Sequence, residues 1–120
     1  MRPQDPVLNP DILASLRALD DDPAFFDQLI DLFTGDAMPR VERLRALLSQ
    51  GDRTGAQSVA HSIRGSAGNI GAAEVSSLAR EIELSLEAGG IVADAQAAEL
   101  AKSMQRALDA LAAERSHPRG

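Results

Sequence analysis

The apolar positions of this chain recur at helical spacing along most of its length. In the longest such segment they step by three or four residues over about six turns, and the members are Phe26, Ile30, Phe33, Ala37, Val41, Leu44 and Leu48. That spacing places every member on one face of an α-helix. Three later segments show the same spacing, so the pattern predicts four long amphipathic helices, each with one face to bury.

Residues that begin or end helices separate these segments. Asn9 and Pro10 predict the N-cap and first position of a short helix that ends near Leu19, and Asp22 and Pro23 predict the start of the second helix. The remaining boundaries are predicted at Gly51 and Asp52, at Gly71 and Ala72, and between Ala88 and Ala93. The links between the long helices are therefore short.

Four amphipathic helices with short links predict an all-α fold, an antiparallel four-helix bundle with an additional short N-terminal helix across one end. The sequence predicts a flexible arm over residues 1–8, the bundle over 9–113 and a flexible tail over 114–120. Within the second helix Pro39 removes one backbone hydrogen bond, which predicts a kink near Ala37.

Composition narrows the range of functions. The chain has 120 residues, three Phe, no Trp and no Tyr, and a net charge of -6. It has neither the rings for stacking bases nor the basic surface that nucleic acid or an anionic membrane requires. Cysteine is absent, which excludes thiol chemistry. No membrane-spanning run or signal peptide is visible, so we expect a cytoplasmic protein.

The segment from Ala60 to Gly71 carries the candidate chemistry. On a helical wheel His61 points away from the apolar face, with Arg64 on the same side one turn later. Gly65 and Gly68 flank the histidine, although each costs about 1 kcal/mol against alanine inside a helix. This pattern indicates an exposed histidine that a partner approaches closely, over bare backbone.

The residue types around His61 suit an anionic group. A nucleophilic histidine needs one ring nitrogen free and the other held as N–H by an acceptor, and Glu83 on the next helix is the candidate acceptor. Arg64 offers a fork of donors to phosphate oxygens. One histidine supplies too few ligands for a metal site, so none is predicted.

Simpler interpretations stay open for several of these residues. Gly68 and Gly71 could end the helix and do no more, and Glu83 could be an ordinary solvated acid like its neighbours Glu81 and Glu87. His61 itself could be an exposed residue without a role.

The twelve residues from Ala60 to Gly71 read Ala-His-Ser-Ile-Arg-Gly-Ser-Ala-Gly-Asn-Ile-Gly. They resemble the motif of histidine-containing phosphotransfer (HPt) domains of two-component phosphorelays, roughly Ala-His-x-Leu/Ile-Lys-Gly-Ser/Ala-Ala-x-x-Leu/Ile-Gly. The resemblance extends over about residues 10–112 and includes the Gly51-Asp52 pair before the histidine helix. It departs from the usual motif at Arg64, where the family usually has lysine.

The resemblance implies that His61 carries a phosphoryl group between aspartates of receiver domains. It further implies that Arg64 neutralises the phosphoryl oxygens, Gly65 lets the receiver close over the histidine, and Glu83 holds the other ring nitrogen. Such a protein is a carrier rather than an enzyme. It needs no cofactor of its own, because the receiver supplies the magnesium.

Expected partners are response-regulator receiver domains and a hybrid histidine kinase, with the protein itself a monomer that binds neither nucleic acid nor membrane. The candidate docking residues are those that share the surface of His61, namely Gln57, Ser58, Gly65 and Gly68. Two alternatives remain: a helical interaction module that works without phosphorylation, and the histidine-containing input domain of a kinase. The second would need a catalytic domain in the same chain, and we expect a stand-alone protein.

Overall fold

The computed structural model describes residues 5–116, and its secondary structure over that range is entirely helical. The elements are α1 (Pro10–Arg17), α2 (Pro23–Ser49), α3 (Arg53–Ile70), α4 (Ala73–Glu87) and α5 (Asp94–Glu114). Successive long helices are joined by short links and pack against each other, α5 packs back against α2, and α1 lies against α2 and α3. The predicted all-α four-helix bundle with a short N-terminal helix is confirmed.

Side-chain caps fix the starts of the first three helices where the sequence predicts them. Asn9, Asp22 and Asp52 each accept hydrogen bonds from backbone N–H groups of the first turn that follows. These contacts satisfy donors that would otherwise lack a partner at a helix N-terminus.

The end of α3 determines where α1 lies. Gly71 has a left-handed backbone with φ of 84°, and a Cβ there would lie 3.2 Å from the Ile12 side chain. Its carbonyl accepts a hydrogen bond of 2.7 Å from the Asn9 N–H. Only glycine combines this backbone with so close an approach, so Gly71 both ends α3 and seats α1.

The core lies between the four long helices and follows the predicted stripes with local shifts. In α2, Leu47 is buried and Leu48 is only half-buried, and Phe33 is half-buried as well. A helix has 3.6 residues per turn, so its buried face drifts along a helix of this length and the last step shortens from four residues to three. Pro39 lies inside α2, which continues through it as one α-helix.

The N-terminal arm is partly packed. The predicted flexible arm covers residues 1–8, of which 1–4 lie outside the described residues. Val7 and Leu8 pack against the core, and the Pro6 carbonyl accepts a hydrogen bond of 2.9 Å from the Glu74 N–H. Residues 5–8 are therefore attached to the bundle.

The first residues of the predicted C-terminal tail also make contacts with the bundle. Glu114 is the last residue of α5, Arg115 pairs with Asp31, and the Ser116 N–H donates to Asp27 Oδ1 at 2.8 Å. Arg115 and Ser116 thus hold the end of α5 against α2, because their polar groups find partners there. The rest of the predicted tail, 117–120, lies outside the described residues.

Candidate functional site

His61 lies in the middle of α3 with 63% of its side chain exposed, at the seam between α3 and α4. The opposite face of α3 is fully buried and is made largely of small side chains, Ala56, Ala60 and Ala67, with Ile63. Alanines let a helix approach its neighbours closely, so the histidine is carried on a firmly packed element.

Glu83 of α4 meets the inner edge of the His61 ring. Its Oε2 lies 2.7 Å from His61 Nδ1, and only 7% of the Glu83 side chain is exposed. An ionised carboxylate can only accept hydrogen bonds, so Nδ1 carries the proton and donates it to Glu83. Nε2 is then the ring nitrogen with a free lone pair, on the outer edge of an exposed ring.

Arg64 occupies the same inner edge. Its Nη1 lies 3.1 Å from Glu83 Oε1, and its Nη2 lies 3.2 Å from His61 Nδ1. A protonated Nδ1 has no lone pair to accept with, so the interaction partner of Arg64 is the Glu83 carboxylate rather than the ring. The contact with Oε1 is an ion pair without hydrogen-bond alignment, which leaves that buried oxygen without a well-directed donor.

These three side chains can support nucleophilic chemistry at Nε2. Glu83 fixes the tautomer and the orientation of the ring, and its negative charge stabilises positive charge that develops on the imidazole. A cation stands one helical turn from the nucleophile. The structure therefore brings together the three residues, His61, Arg64 and Glu83, that the sequence singled out from two different helices.

The two glycines beside His61 have different surroundings. A Cβ on Gly65 would meet nothing within 4 Å, whereas a Cβ on Gly68 would lie 3.4 Å from Ser76 Oγ. That hydroxyl donates to the Arg64 carbonyl at 3.0 Å. Gly65 thus leaves the surface beside the histidine open, while Gly68 also serves the close approach of α3 to α4.

The other two candidate docking residues lie on the N-terminal side of His61. Ser58 is exposed, and half-buried Gln57 donates from Nε2 to Glu87 Oε1 at 3.3 Å. Gln57 is therefore held along the α3–α4 seam, in line with His61 and Glu83.

An apolar groove lies beside the histidine helix and was not predicted from the sequence. A cavity of about 340 Å³ opens between α1, α2 and α3, and its apolar lining includes Leu16, Leu19, Phe25, Leu29, Leu32 and Phe33. Leu19 and Leu32 are 67% and 69% exposed. The signal was present, since Phe25, Leu29 and Leu32 form a second stripe at helical spacing beside the first.

Fold and site together define a class of protein, an all-α bundle that presents one oriented histidine on an exposed helix face. The family model described as Hpt domain matches residues 28–114. The chain therefore belongs to the Hpt family, and the resemblance seen in its sequence is confirmed.

One solved structure supports this assignment over nearly the whole chain. The chain is similar to histidine-containing phosphotransfer protein B (HptB) from Pseudomonas aeruginosa PAO1, with 28% identity and a TM-score of 0.86. The match covers 97% of this chain and 100% of that one. Comparison with curated proteins gave no match. Family and fold together place the chain among histidine phosphotransfer proteins of phosphorelays.

Two further observations concern residues 5–116 alone. No helix in that range is long and apolar enough to cross a membrane. Nor do three or more potential metal-ligating side chains of His, Asp or Glu come together there.

Proposed function

We propose that this protein carries a phosphoryl group on His61 Nε2 between aspartates of receiver domains in a multistep phosphorelay. The observation that carries the proposal is the 2.7 Å contact between His61 Nδ1 and a buried carboxylate, on a ring whose other edge is exposed. A histidine of no consequence on a helix surface has no need of a buried acid to fix its tautomer.

The proposed step is a direct displacement at phosphorus. Nε2 of the neutral ring attacks the phosphorus of an aspartyl phosphate, the Nε2–P bond forms, and the P–O bond to the aspartate breaks. The aspartate leaves as a carboxylate with the bonding electron pair. Because Nδ1 keeps its proton, the ring gains positive charge during transfer, and Glu83 lies against that charge.

The chain's own contribution is a positioned nucleophile rather than catalysis. The resemblance assigns Arg64 the role of neutralising the phosphoryl oxygens once the group is bound, and the open surface at Gly65 lets the receiver approach the ring. The negative charge on the phosphoryl group during the displacement must also be neutralised by a magnesium ion, which the receiver domain would hold. The protein is accordingly a carrier and not an enzyme.

Docking requires more surface than the histidine face offers. Even a transient interface buries on the order of 500 Å² on each partner. The apolar groove adjoins that face, because Ser66 and Asn69 of the histidine helix form part of its wall. We propose that the receiver covers Gln57, Ser58, Gly65 and Gly68 and extends into this groove.

Cellular setting follows from the same proposal. Receiver domains and hybrid histidine kinases act in the cytoplasm, so we place this protein there, as a monomer whose histidine face stays free. The alternative is an interaction module on the same scaffold that binds partners without phosphorylation.

The test is transfer from a phosphorylated receiver domain, measured as intact mass with magnesium present. The expected result is one acid-labile phosphate on the wild-type protein and none on His61→Gln. No transfer from any of a panel of receivers would contradict the carrier role and favour the interaction module.

The groove has its own test. Leu32→Glu places a charge in the groove, and Ile91→Glu places one on an 89% exposed side chain of the α4–α5 link as the matched control. We expect only Leu32→Glu to slow transfer from a receiver, with phosphorylation by the small donor phosphoramidate unchanged in both. Equal transfer rates in the two variants would remove the groove from the docking surface.

A further inference from the structure

Arg64 is on the wrong edge of the ring to contact a phosphoryl group. Its guanidinium lies against Glu83 Oε1 and beside His61 Nδ1, at 3.1 and 3.2 Å. The phosphoryl group would be attached to Nε2, on the opposite edge of the imidazole. In the unphosphorylated protein the cation is therefore bound to the buried acid and not directed at the reacting nitrogen.

We infer that Glu83 stores Arg64 in the unphosphorylated protein and that phosphorylation of His61 transfers Arg64 from this carboxylate to the phosphoryl oxygens. The inference rests on the proposed function and adds a second role for Glu83, as a positioning residue for Arg64. Two acceptors, the carboxylate and the phosphoryl group, compete for one guanidinium.

Charge at Glu83 favours this exchange. Before transfer the buried carboxylate faces a neutral imidazole, and Arg64 supplies its counter-charge. After transfer the ring carries positive charge at the same 2.7 Å contact, so the carboxylate has a new counter-charge and Arg64 can leave without stranding it. The phosphoryl group brings negative charge that a guanidinium binds in bidentate fashion.

The ion pair between Arg64 and Glu83 in the unphosphorylated protein also has a geometry that is easily separated. Glu83 Oε1 has no well-aligned donor, and the Arg64 side chain is 35% exposed, so the pair lacks the geometry that makes buried ion pairs hard to separate. The backbone of Arg64 stays fixed, because Ser76 Oγ donates to its carbonyl at 3.0 Å. Only the side chain needs to swing, and the adjacent Gly65 presents no side chain to obstruct it.

A double-mutant cycle distinguishes the exchange from a purely structural ion pair. Arg64→Gln is made in the wild-type protein and in Glu83→Gln, whose amide oxygen can still accept from Nδ1–H. The measured quantity is the phosphorylated fraction at fixed phosphoramidate and ammonium concentrations, by intact mass. If the two acceptors compete, Arg64→Gln lowers the ratio of phosphorylated to unphosphorylated protein more in Glu83→Gln, by about tenfold.

The opposite ranking overturns the inference. If Arg64 acts only through Glu83, its replacement has its largest effect in the wild-type background and little or none in Glu83→Gln. Arg80→Gln and Glu87→Gln, at exposed positions of α4, are the matched controls for the two changes. Thermal unfolding of each variant confirms that the bundle is retained, and Arg64→Lys keeps the charge without the fork if Arg64→Gln fails to fold.

A spectroscopic measurement gives an independent answer. The ¹⁵N resonances of the Arg64 guanidinium should shift when wild-type His61 is phosphorylated, and Glu83→Gln should shift them already without phosphate. Resonances that stay fixed while the mass shows phosphorylated His61 would overturn the exchange and leave the carrier role intact. Absence of any phosphorylation at His61, from phosphoramidate or receiver, would instead contradict the proposed function itself.

Discussion

Two acids of helix α4, half-buried Glu74 and buried Glu83, lie on opposite faces of the helix and differ in their contacts. Nine residues separate them, which is about two and a half turns, so Glu74 faces α5 and Glu83 faces α3. Each has a basic partner on the facing helix. The difference between them is how completely those partners satisfy the carboxylate.

The contacts of Glu74 form a closed structural cluster. Its Oε1 accepts from Ser103 Oγ at 2.6 Å and from Arg106 Nε and Nη2 at 3.0 and 2.7 Å. Burial raises the pKa of Glu74, but the hydrogen bonds from Ser103 and Arg106 outweigh burial and hold the pKa below its ordinary value. The bond to Glu74 in turn raises the pKa of Arg106.

Glu83 is less well satisfied although it is the more buried of the two. One oxygen holds His61, and the other lies against Arg64 without an aligned donor. A fully satisfied polar cluster strengthens one arrangement, whereas an incompletely satisfied one beside an exposed ring can change partners. From this comparison we expect Glu74 to contribute mainly to the stability of the bundle and Glu83 mainly to the chemistry at His61.

The largest expected effect follows from removing the partner of Glu83. His61→Gln removes the ring nitrogen that we propose as the phosphoryl acceptor, so phosphorylation should fall below detection. Since the side chain is exposed, the free energy of unfolding should change by no more than about 0.5 kcal/mol. Intact mass and thermal unfolding test the two halves, and a residual acid-labile phosphate would place the acceptor elsewhere.

Replacing the two acids in turn tests the division directly. Glu83→Ala should slow phosphorylation of His61 by about one to two orders of magnitude, because the ring loses its fixed tautomer and counter-charge. Glu74→Ala should leave the rate within about twofold, since its contacts lie on the α5 side. Rates with phosphoramidate measure this without a partner. Similar slowing in both variants would refute the separation.

Replacing Glu74, which does not contact His61, should lower the free energy of unfolding. Glu74→Ala leaves the hydroxyl of fully buried Ser103 without its acceptor, which costs about 1–3 kcal/mol. The double variant with Ser103→Ala removes both polar partners and should recover part of the loss. Denaturant unfolding measures both. A Glu74→Ala protein as stable as the wild type would show that the cluster contributes nothing.

Acid should weaken the same cluster. A carboxyl group whose folded pKa is lowered contributes stability above its unfolded value, about 4.3 for glutamate, and the contribution is lost as pH falls through the folded pKa. The melting temperature should therefore fall less between pH 7 and pH 3 in Glu74→Gln than in the wild type. An equal fall in both proteins would contradict the lowered pKa.

The residues of the histidine site could be predicted from the sequence, because the patterns that indicate them are local. His61 and Arg64 are one turn apart on one helix, the flanking glycines are conspicuous, and Glu83 follows from the chemical need for an acceptor on the next helix. What the sequence could not show was that Arg64 pairs with Glu83 at the inner edge of the ring, since that depends on the distance between α3 and α4.

The other side of α4 escaped prediction for the same reason. Glu74 and Ser103 are separated by 29 residues and meet only because α4 and α5 pack together. The contacts of residues 5–8 and 114–116 with the bundle likewise join residues that are far apart in the sequence. Helix period and caps fix the elements, but pairings between helices need the angle and separation at which they pack.

The smallest expected effect concerns the two glycines beside the histidine, one open and one packed. Gly65→Ala should raise the melting temperature by about 2–6 °C, because alanine favours the helix and the added Cβ meets nothing within 4 Å. Gly68→Ala should gain less, since its Cβ would lie 3.4 Å from Ser76 Oγ, the hydroxyl that donates to the Arg64 carbonyl. Thermal unfolding ranks the two.

The rate of phosphoryl transfer from a receiver gives a second test of Gly65. If the gap at Gly65 exists for the receiver, Gly65→Ala should slow transfer from a phosphorylated receiver severalfold while phosphoramidate still phosphorylates His61 at the wild-type rate. The stabilised but slower protein would show that the glycine is kept for access at the expense of helix stability. A variant that is more stable and transfers at the wild-type rate would show instead that a methyl group at this position does not hinder the partner.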